Sequence, residues 1–461
     1  MSQIAAPSNP TLGRSDHIII RVLILGVILP LLDTTLINLS LTDIAEELNT
    51  PLSISQWIVT SYFLAAASVV PLCAWLTQRI GAKQLWLGSL WIFMAGVFLS
   101  AIASDVEVLI FSRVLQGVAT GLLLPTMQTI VVTSIGQDKA RAALATMSIP
   151  SVLAPILGPV LGGLMLALYD WRMLFLVQIP ICLVAIITAS KQLPDTTLRS
   201  AAAFDFTGFL LLCPALIAML YGLSDVGKSG DWAGLVPLNV GLMLMIAFVW
   251  HARKMRERGI VDISLFKSKN LRSSCALLFF ASVAYYGGIL LLPLYLIQIG
   301  HYEPIWAGSL VAFHGLGILV ARYKLSHASR KWTERTITLA AMLTAITGSV
   351  ILLVPQSIEH VDLMGAGMLL RGAGVGVLTI LAMSGAYEGL KTSQIAHASA
   401  LTRMVTHLGA TIGTTAVACF TFMPEHTTMP DSHDYLYGHW VLVASLVACT
   451  FACYRPQEQP E

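Results

Sequence analysis

The sequence predicts an all-α integral membrane protein of fourteen transmembrane spans, and three observations carry that prediction. Of its 461 residues 56% are hydrophobic and only 11% are charged. Soluble domains carry roughly 25% charged residues, so a water-soluble fold of this length would lack polar surface. Apolar runs of roughly 20 residues, each long enough to cross ~30 Å of hydrocarbon, recur along the whole chain. Basic residues then alternate from loop to loop as the positive-inside rule requires.

In order, the runs fall at 18–40, 54–77, 84–104, 108–131, 142–166, 171–190, 206–224, 234–251, 272–298, 304–322, 336–355, 362–387, 394–421 and 437–454. With the N-terminus placed in the cytoplasm, only Arg172 and Lys228 of the 27 basic residues fall in outer loops. Arg113, Arg371 and Arg403 lie within spans, and the remaining basic residues are cytoplasmic. One span more or fewer would invert every later loop, so this asymmetry supports fourteen spans with both termini cytoplasmic. The resulting division is a tail over 1–17, a six-span bundle over 18–190, a linker over 191–271 with two extra spans and a basic loop, a second six-span bundle over 272–454, and a tail over 455–461.

Several function classes drop out. The net charge of +2, spread over loops on one side, predicts no nucleic-acid partner. The seven cysteines all lie in apolar stretches and read as small hydrophobes, with no disulfide or metal framework. The N-terminus lacks a basic region followed by a small-residue cleavage site, so the first span is expected to be retained. No nucleotide-binding loop of the G-x-x-x-x-G-K-[ST] type occurs, and no clustered His/Asp/Glu or Ser/His/Asp pattern suggests an enzyme. No cofactor is expected. The longest basic loop, His251 to Arg272, reads as a topology anchor against anionic headgroups, with a regulatory site as the alternative. His426, His433 and His439 in or beside the longest outer loop read as solvated histidines or a transition-metal site, although their spacing matches no strong ligand pattern.

The first span carries Asp33. A carboxylate in hydrocarbon is costly, which makes it a functional-site candidate; a hydrogen-bond anchor for neighbouring helices is the alternative. At ~1.5 Å rise per residue, Asp33, Arg113 and Arg371 lie roughly 9–13 Å below the outer face, and each is expected to turn into a central cavity. Arg113-Val114-Leu115-Gln116-Gly117 is echoed by Arg371-Gly372-Ala373-Gly374-Val375-Gly376, as parallel repeats would require once the two extra spans are removed.

Further motifs punctuate the chain. Between spans two and three runs Ala74-Trp75-Leu76-Thr77-Gln78-Arg79-Ile80-Gly81-Ala82-Lys83. Span four continues to Gly121 and Pro125, and span five holds Gly158-Pro159-Val160-Leu161-Gly162-Gly163. Asp170-Trp171-Arg172 opens span six, and Val261-Asp262-Ile263-Ser264-Leu265-Phe266 precedes span nine. Gly117 with Gly121, and Gly158 with Gly162, form small-xxx-small pairs that let backbones approach. Pro159 removes one helical hydrogen bond and promotes a bend. Static packing and a rocking helix are both compatible with these features.

In this order the motifs resemble the EmrB/QacA branch of the major facilitator superfamily, the fourteen-span drug:proton antiporters. The resemblance implies the major facilitator fold, two six-helix bundles plus two extra helices, working by alternating access. It further implies export of toxic organic compounds, hence multidrug resistance, from a bacterial inner membrane, with a periplasmic adaptor protein as a possible partner. The chain departs from the family pattern at Ala74, where Gly is common, and at Gln78, where Asp is common. It also departs at Leu39-Ser40-Leu41-Thr42 and in span thirteen, where Arg403 stands in an Asn place and Thr406-His407-Leu408-Gly409 follows.

Desolvation favours a neutral carboxyl and a nearby arginine favours a charged one, so a carboxylate held between these influences can take up and release a proton. Asp33 is therefore expected to couple protons, with Arg113 helping to discharge it. Gln56, Trp57 and Tyr62 in or near span two, Tyr285 and Tyr286 in span nine, and His314 in span ten are candidates for substrate contact, as are Arg371, Arg403 and His407. Aromatics there could hold flat lipophiles and the histidines could relay protons; interfacial belts and helix packing are the alternatives. The expected function is proton-coupled efflux of a small lipophilic or amphipathic molecule across the lipid bilayer. Rival readings are a dedicated exporter of one metabolite, such as a siderophore or fatty acid, and a non-transporting membrane sensor or scaffold.

Overall fold

A computed structural model describes residues 12–453 except 56, 148–149, 151–152, 154–161, 163, 167, 196–202, 230–233, 256–258, 299, 301–303, 354–359 and 422–431. Among the described residues the regular structure is entirely helical. The first half comprises α1 (Arg14–Glu47), α2 (Leu52–Ser55), α3 (Trp57–Val69), α4 (Leu72–Ile80), α5 (Ala82–Ala101), α6 (Val106–Ile130), α7 (Gln137–Met147), α8 (Met173–Leu176) and α9 (Gln178–Gln192). Helices α10 (Phe206–Ser229) and α11 (Leu235–Met255) follow. The second half comprises α12 (Lys269–Gln298), α13 (Pro304–Lys331), α14 (Glu334–Ile351), α15 (Val361–Gly385), α16 (Ile395–Thr421) and α17 (Ser432–Cys453). Eight described helices are long and apolar enough to cross a membrane, or nine if α3 and α4 form one span. The expected fifth span, with Gly158, Pro159 and Gly163, falls largely outside the described residues, and Gly162 is helical and buried.

The expected second span is not one straight helix. Between α3 and α4 the axis turns by 59°, at Pro71, which cannot donate to the helical ladder and crowds the preceding turn. α4 then ends at Gly81, whose φ of +89° only glycine adopts freely, and the chain turns directly into α5.

Lipid offers no hydrophobic force to hold helices together, so close backbone approach must do it. A Cβ on Gly117 would overlap the Tyr62 carbonyl, and one on Gly121 the Ala66 carbonyl, so α6 lies directly on α3. In the second half Gly372 meets the His314 backbone and Gly317 the Leu369 carbonyl, which seats α15 on α13 in the same manner.

The Asp170-Trp171-Arg172 motif ties one end of the first half. Arg172 donates to Glu47 at 2.6 Å, to Asp170 at 2.7 Å and to the Ala103 carbonyl at 3.0 Å, with its guanidinium 4.2 Å from the centre of the Trp171 ring. Trp171 Nε1 also donates to Glu47 at 2.7 Å. These bonds join the end of α1, the α5–α6 connection and the start of α8.

Helices α10 and α11, the pair expected to be extra, are not detached from the rest. α10 packs along α11, α3 and α16, with Thr415 Oγ1 donating to the Leu223 carbonyl at 3.0 Å. α11 is peripheral and turns Val236, Met243, Ile246 and Trp250 outward, as a lipid-facing helix does. Asp205 anchors the start of α10, accepting from Gly208 N at 2.8 Å, Ile260 N at 3.1 Å and pairing with His251 at 2.8 Å.

Hydrogen bonds between the two halves gather at the end that carries the basic loops. Arg141 of α7 donates to Glu334 at 2.7 Å and to Ser384 at 3.2 Å, and lies 3.8 Å from Glu388. Gln137 donates to the Leu390 carbonyl at 2.9 Å. Gln78 Nε2 lies 3.0 Å from His397 Nε2. Asp262 caps the turn Ile263–Lys267 through Ser264 N at 2.9 Å, and its own N–H faces His397 Nδ1 at 3.4 Å. Oriented to satisfy its neighbours, the Gln128 amide accepts from Arg403 Nη2 at 3.0 Å and Nε at 3.1 Å and donates to Tyr387 Oη at 3.1 Å.

Candidate functional site

Asp33 sits midway along α1, one turn beyond Pro30, and its carboxylate is 1% exposed. Arg113, on the second turn of α6, reaches it with Nη1 at 2.5 Å. The same nitrogen donates to Gln116 Oε1, while Nε donates to the Ile58 carbonyl of α3 at 3.1 Å. The guanidinium carbon lies 4.4 Å from the centre of the Tyr62 ring, a cation–π contact. Gln178 of α9 donates to the other carboxylate oxygen at 3.3 Å. One buried ion pair thus joins four helices.

A second tier supports it. Gln116 Nε2 donates to Ser100 at 2.9 Å, Ser100 and Ser112 hydroxyls lie 2.6 Å apart, and Tyr62 pairs with Thr120 at 2.9 Å. Every member is buried. Among the described residues Arg113 Nη2 and Gln178 Oε1 have no protein partner, so the network keeps one open donor and one open acceptor beside the carboxylate. In low dielectric such a pair is held strongly only while both partners remain, and removing one leaves a buried charge at a cost of about 3–5 kcal/mol.

The expectation that Asp33, Arg113 and Arg371 all turn into one central cavity is corrected here. Asp33 and Arg113 are enclosed within the first half, and Arg371, 2% exposed, is enclosed within the second. There its Nη2 donates to the Ala284 carbonyl of α12, and Gly288 lies so close that any Cβ would collide with the guanidinium. Local acceptors, the Ile58 carbonyl for Arg113 and the Ala284 carbonyl for Arg371, hold each arginine among the helices of its own half.

The remaining candidates scatter. Tyr62 belongs to the Arg113 site. Trp57 is exposed and stacks on Tyr221 of α10 at 6.0 Å. Gln56 lies outside the described residues. Tyr285 and Tyr286 meet edge to face at 4.9 Å, and Tyr285 lies 5.5 Å from the buried His314 ring. Arg403 and His407 occupy successive turns of α16 and are partly exposed. Arg79 is exposed at the end of α4, and the mostly covered Lys83 reaches the exposed Asp195 at 3.4 Å. Gln116, Gln128 and Gln178 were not singled out from sequence as site residues. An amide isolated among apolar neighbours, as in Val177-Gln178-Ile179-Pro180, is the signal that would have found them.

Residues 23–414 match the family model of the Major Facilitator Superfamily. Over 398 residues the chain is 30% identical to the multidrug resistance protein B homolog of Mycobacterium tuberculosis, an alignment covering 85% of this chain and 74% of that one. Over 444 residues it is 29% identical to the multidrug export protein EmrB of Haemophilus influenzae, covering 94% and 86%. The crystal structure of the human organic anion transporter TETRAN superposes with a TM-score of 0.65 over 94% of this chain and 99% of that one; at 15% identity this is a likeness of fold alone.

Proposed function

We propose, from the premise that this chain belongs to the Major Facilitator Superfamily, that it is a proton-coupled exporter of small lipophilic or amphipathic compounds. Membership makes it a multi-pass membrane transporter with multidrug-export relatives. The proposal adds the coupling ion, the direction and the breadth of substrates. It also keeps fourteen spans, cytoplasmic termini, a bacterial inner membrane, no enzymatic activity, and an adaptor protein as partner.

The observation that carries the reading is the buried Asp33–Arg113 pair bridging α1 and α6, with Gln178 of α9 on the same carboxylate. Protonating Asp33 removes the charge that holds Arg113 Nη1. Arg113 keeps three other contacts, the Gln116 carbonyl, the Ile58 carbonyl and the Tyr62 ring. It therefore loses α1 without being stranded, because α3 and α6 continue to satisfy it. A proton on Asp33 loosens α1 and α9 from α3 and α6, which is the type of rearrangement alternating access needs. The cross-half bonds at the basic end support reading the present arrangement as closed to the cytoplasm.

Everted membrane vesicles with a respiration-generated acid interior and a fluorescent pH probe test this. Lipophilic compounds are expected to release protons from vesicles holding the native protein and not from vesicles holding Asp33→Asn. Proton release that survives Asp33→Asn would remove Asp33 from coupling. No response to any compound, with inserted and folded protein, would favour a non-transporting role.

A further inference from the structure

One side chain of the Asp33 site keeps a hydrogen-bonding group that the charged carboxylate does not use. Gln178 opens α9 and is 2% exposed. Its Nε2 donates to Asp33 Oδ1 at 3.3 Å and to the Leu174 carbonyl of α8 at 3.0 Å, so both amide hydrogens are engaged. Its Oε1 is buried and has no hydrogen-bond partner among the described residues. A buried acceptor left unmet costs free energy. The buried amides of Gln116 and Gln128 each set their oxygen on an arginine; the Gln178 oxygen has no such use in the present arrangement.

An ionised carboxylate only accepts, and the present contacts suit it: Arg113 Nη1 donates to Oδ2 and Gln178 Nε2 to Oδ1. A proton arriving from the acidic side adds to Oδ1, because Oδ2 faces the guanidinium. The new O–H is then a donor aimed at the donor Nε2, and that contact fails. The carboxyl now needs an acceptor, and the same amide carries one. Presenting it takes a turn about the terminal side-chain torsion, which is broad and roughly two-fold. A flip in place would set Oε1 against the Leu174 carbonyl oxygen, so the amide turns toward α1 and gives up its bond to α8. When the proton leaves, Nε2 returns to the Leu174 carbonyl and donates to Oδ1 again.

We propose that Gln178 is a two-way positioning residue, donating to the Asp33 carboxylate and accepting from the protonated carboxyl, so that α9 stays on α1 while Arg113 lets go. α9 packs along α1 and α5. The bundle then parts between Asp33 and Arg113, with α1 and α9 on one side and α3 and α6 on the other. This rests on Asp33 being the proton site of the exporter reading above, and it specifies how that site holds both of its protonation states. The competing role is a static anchor tying α9 to α8 and α1. Such an anchor has no use for Oε1, and its amide would not respond to a proton on Asp33.

Infrared difference spectra of the full-length protein in liposomes, recorded between neutral and acid pH, test this. Glutamine is isotopically labelled at its side-chain carbonyl so that its bands are recognised. The Asp33 acid is the carboxyl band that Asp33→Asn removes. As that band appears, a labelled glutamine band is expected to move to lower frequency, as an amide oxygen taking up a hydrogen bond does, and to stay still in Asp33→Asn. In Gln178→Leu the glutamine response is expected to vanish and the Asp33 band to rise in frequency, as a carboxyl losing its acceptor does. The glutamine response of the native protein is read with position 178 unchanged, so it serves even if Gln178→Leu does not fold. In the vesicle assay Gln178→Leu is expected to lower the maximal rate of compound-driven proton release about fivefold or more, the rate equivalent of one buried hydrogen bond, with the half-saturating compound concentration held within about twofold. An Asp33 band without a glutamine response, an Asp33 band that keeps its frequency in Gln178→Leu, or an unchanged maximal rate would overturn this role and leave the coupling reading standing. If Asp33→Asn removes no carboxyl band, Asp33 takes up no proton and both fall.

Discussion

Arg113 on α6 and Arg371 on α15 are both enclosed, and each helix presses glycines against its neighbour, Gly117 on α3 and Gly372 on α13. What faces the two guanidinium groups differs. In the first half it is the Asp33 carboxylate of α1; in the second it is Gly288 of α12, with room for no side chain at all. One half therefore holds a neutralised pair, and in the other Arg371 meets no carboxylate among the described residues. Similar backbone packing serves two electrostatic tasks, and the difference comes down to which residue the first helix of each half offers its arginine.

The largest expected effect separates the two arginines. Arg113→Leu strands the Asp33 carboxylate and is expected to destabilise the protein by about 3–5 kcal/mol, with Asp33→Asn in the same chain recovering most of the loss. Arg371→Leu removes a cation that has no counter-ion among the described residues, and its cost is expected to stay below about 2 kcal/mol. Thermal unfolding of these three variants and the native protein in detergent measures this, and equal losses for the two arginines would erase the proposed contrast.

Of intermediate size is a change that should treat the halves alike. Gly117→Ala and Gly372→Ala each drive a methyl group into a neighbouring backbone, and overpacking of this type costs about 1–3 kcal/mol. Comparable losses would show that the packing is shared and only the charges differ. A loss confined to one half would mean that the repeat is looser than its glycines suggest.

The smallest expected effect lies at the basic end, where Arg141 serves both Glu334 and Glu388. Burial, together with the neighbouring Glu334, raises Glu388 above the ordinary carboxylate range, and Arg141 only partly offsets this. The closed arrangement thus binds the Glu388 proton more tightly than an open loop would. Its contribution to closure is present below the ordinary glutamate range and is lost as pH rises through the raised value. Glu388 is half-exposed, so solvent screening keeps the effect small. Spin-label distances between α7 and α15 are expected to lengthen slightly as pH rises from acid to neutral, and Glu388→Gln is expected to flatten that dependence.

Membrane residence and all-helical structure were legible in the sequence because lipid imposes them locally. A run of apolar residues must satisfy its own backbone, and only a helix does so within one segment. That Asp33 and Arg113 are worth singling out was legible for a related reason, since charge inside an apolar run is rare and costly. The glycines of span four announced close approach by spacing alone. The bend at Pro71 was present in the sequence too, but hydropathy averages over it and proline shows only where a helix is free to break, not by how much.

Other features depend on which helices meet, and no local rule supplies that. Gln178 stands 145 residues from the carboxylate it serves, and nothing in its own segment points to Asp33. Gly288 reads as a packing glycine until the Arg371 guanidinium is found against it. The sequence by itself determined a helical membrane protein with ionisable groups inside its spans, because burial energies act residue by residue. Only the tertiary structure decided which of those charges is paired and which, among the described residues, is not, because Coulomb interactions depend on distances that helix packing alone sets.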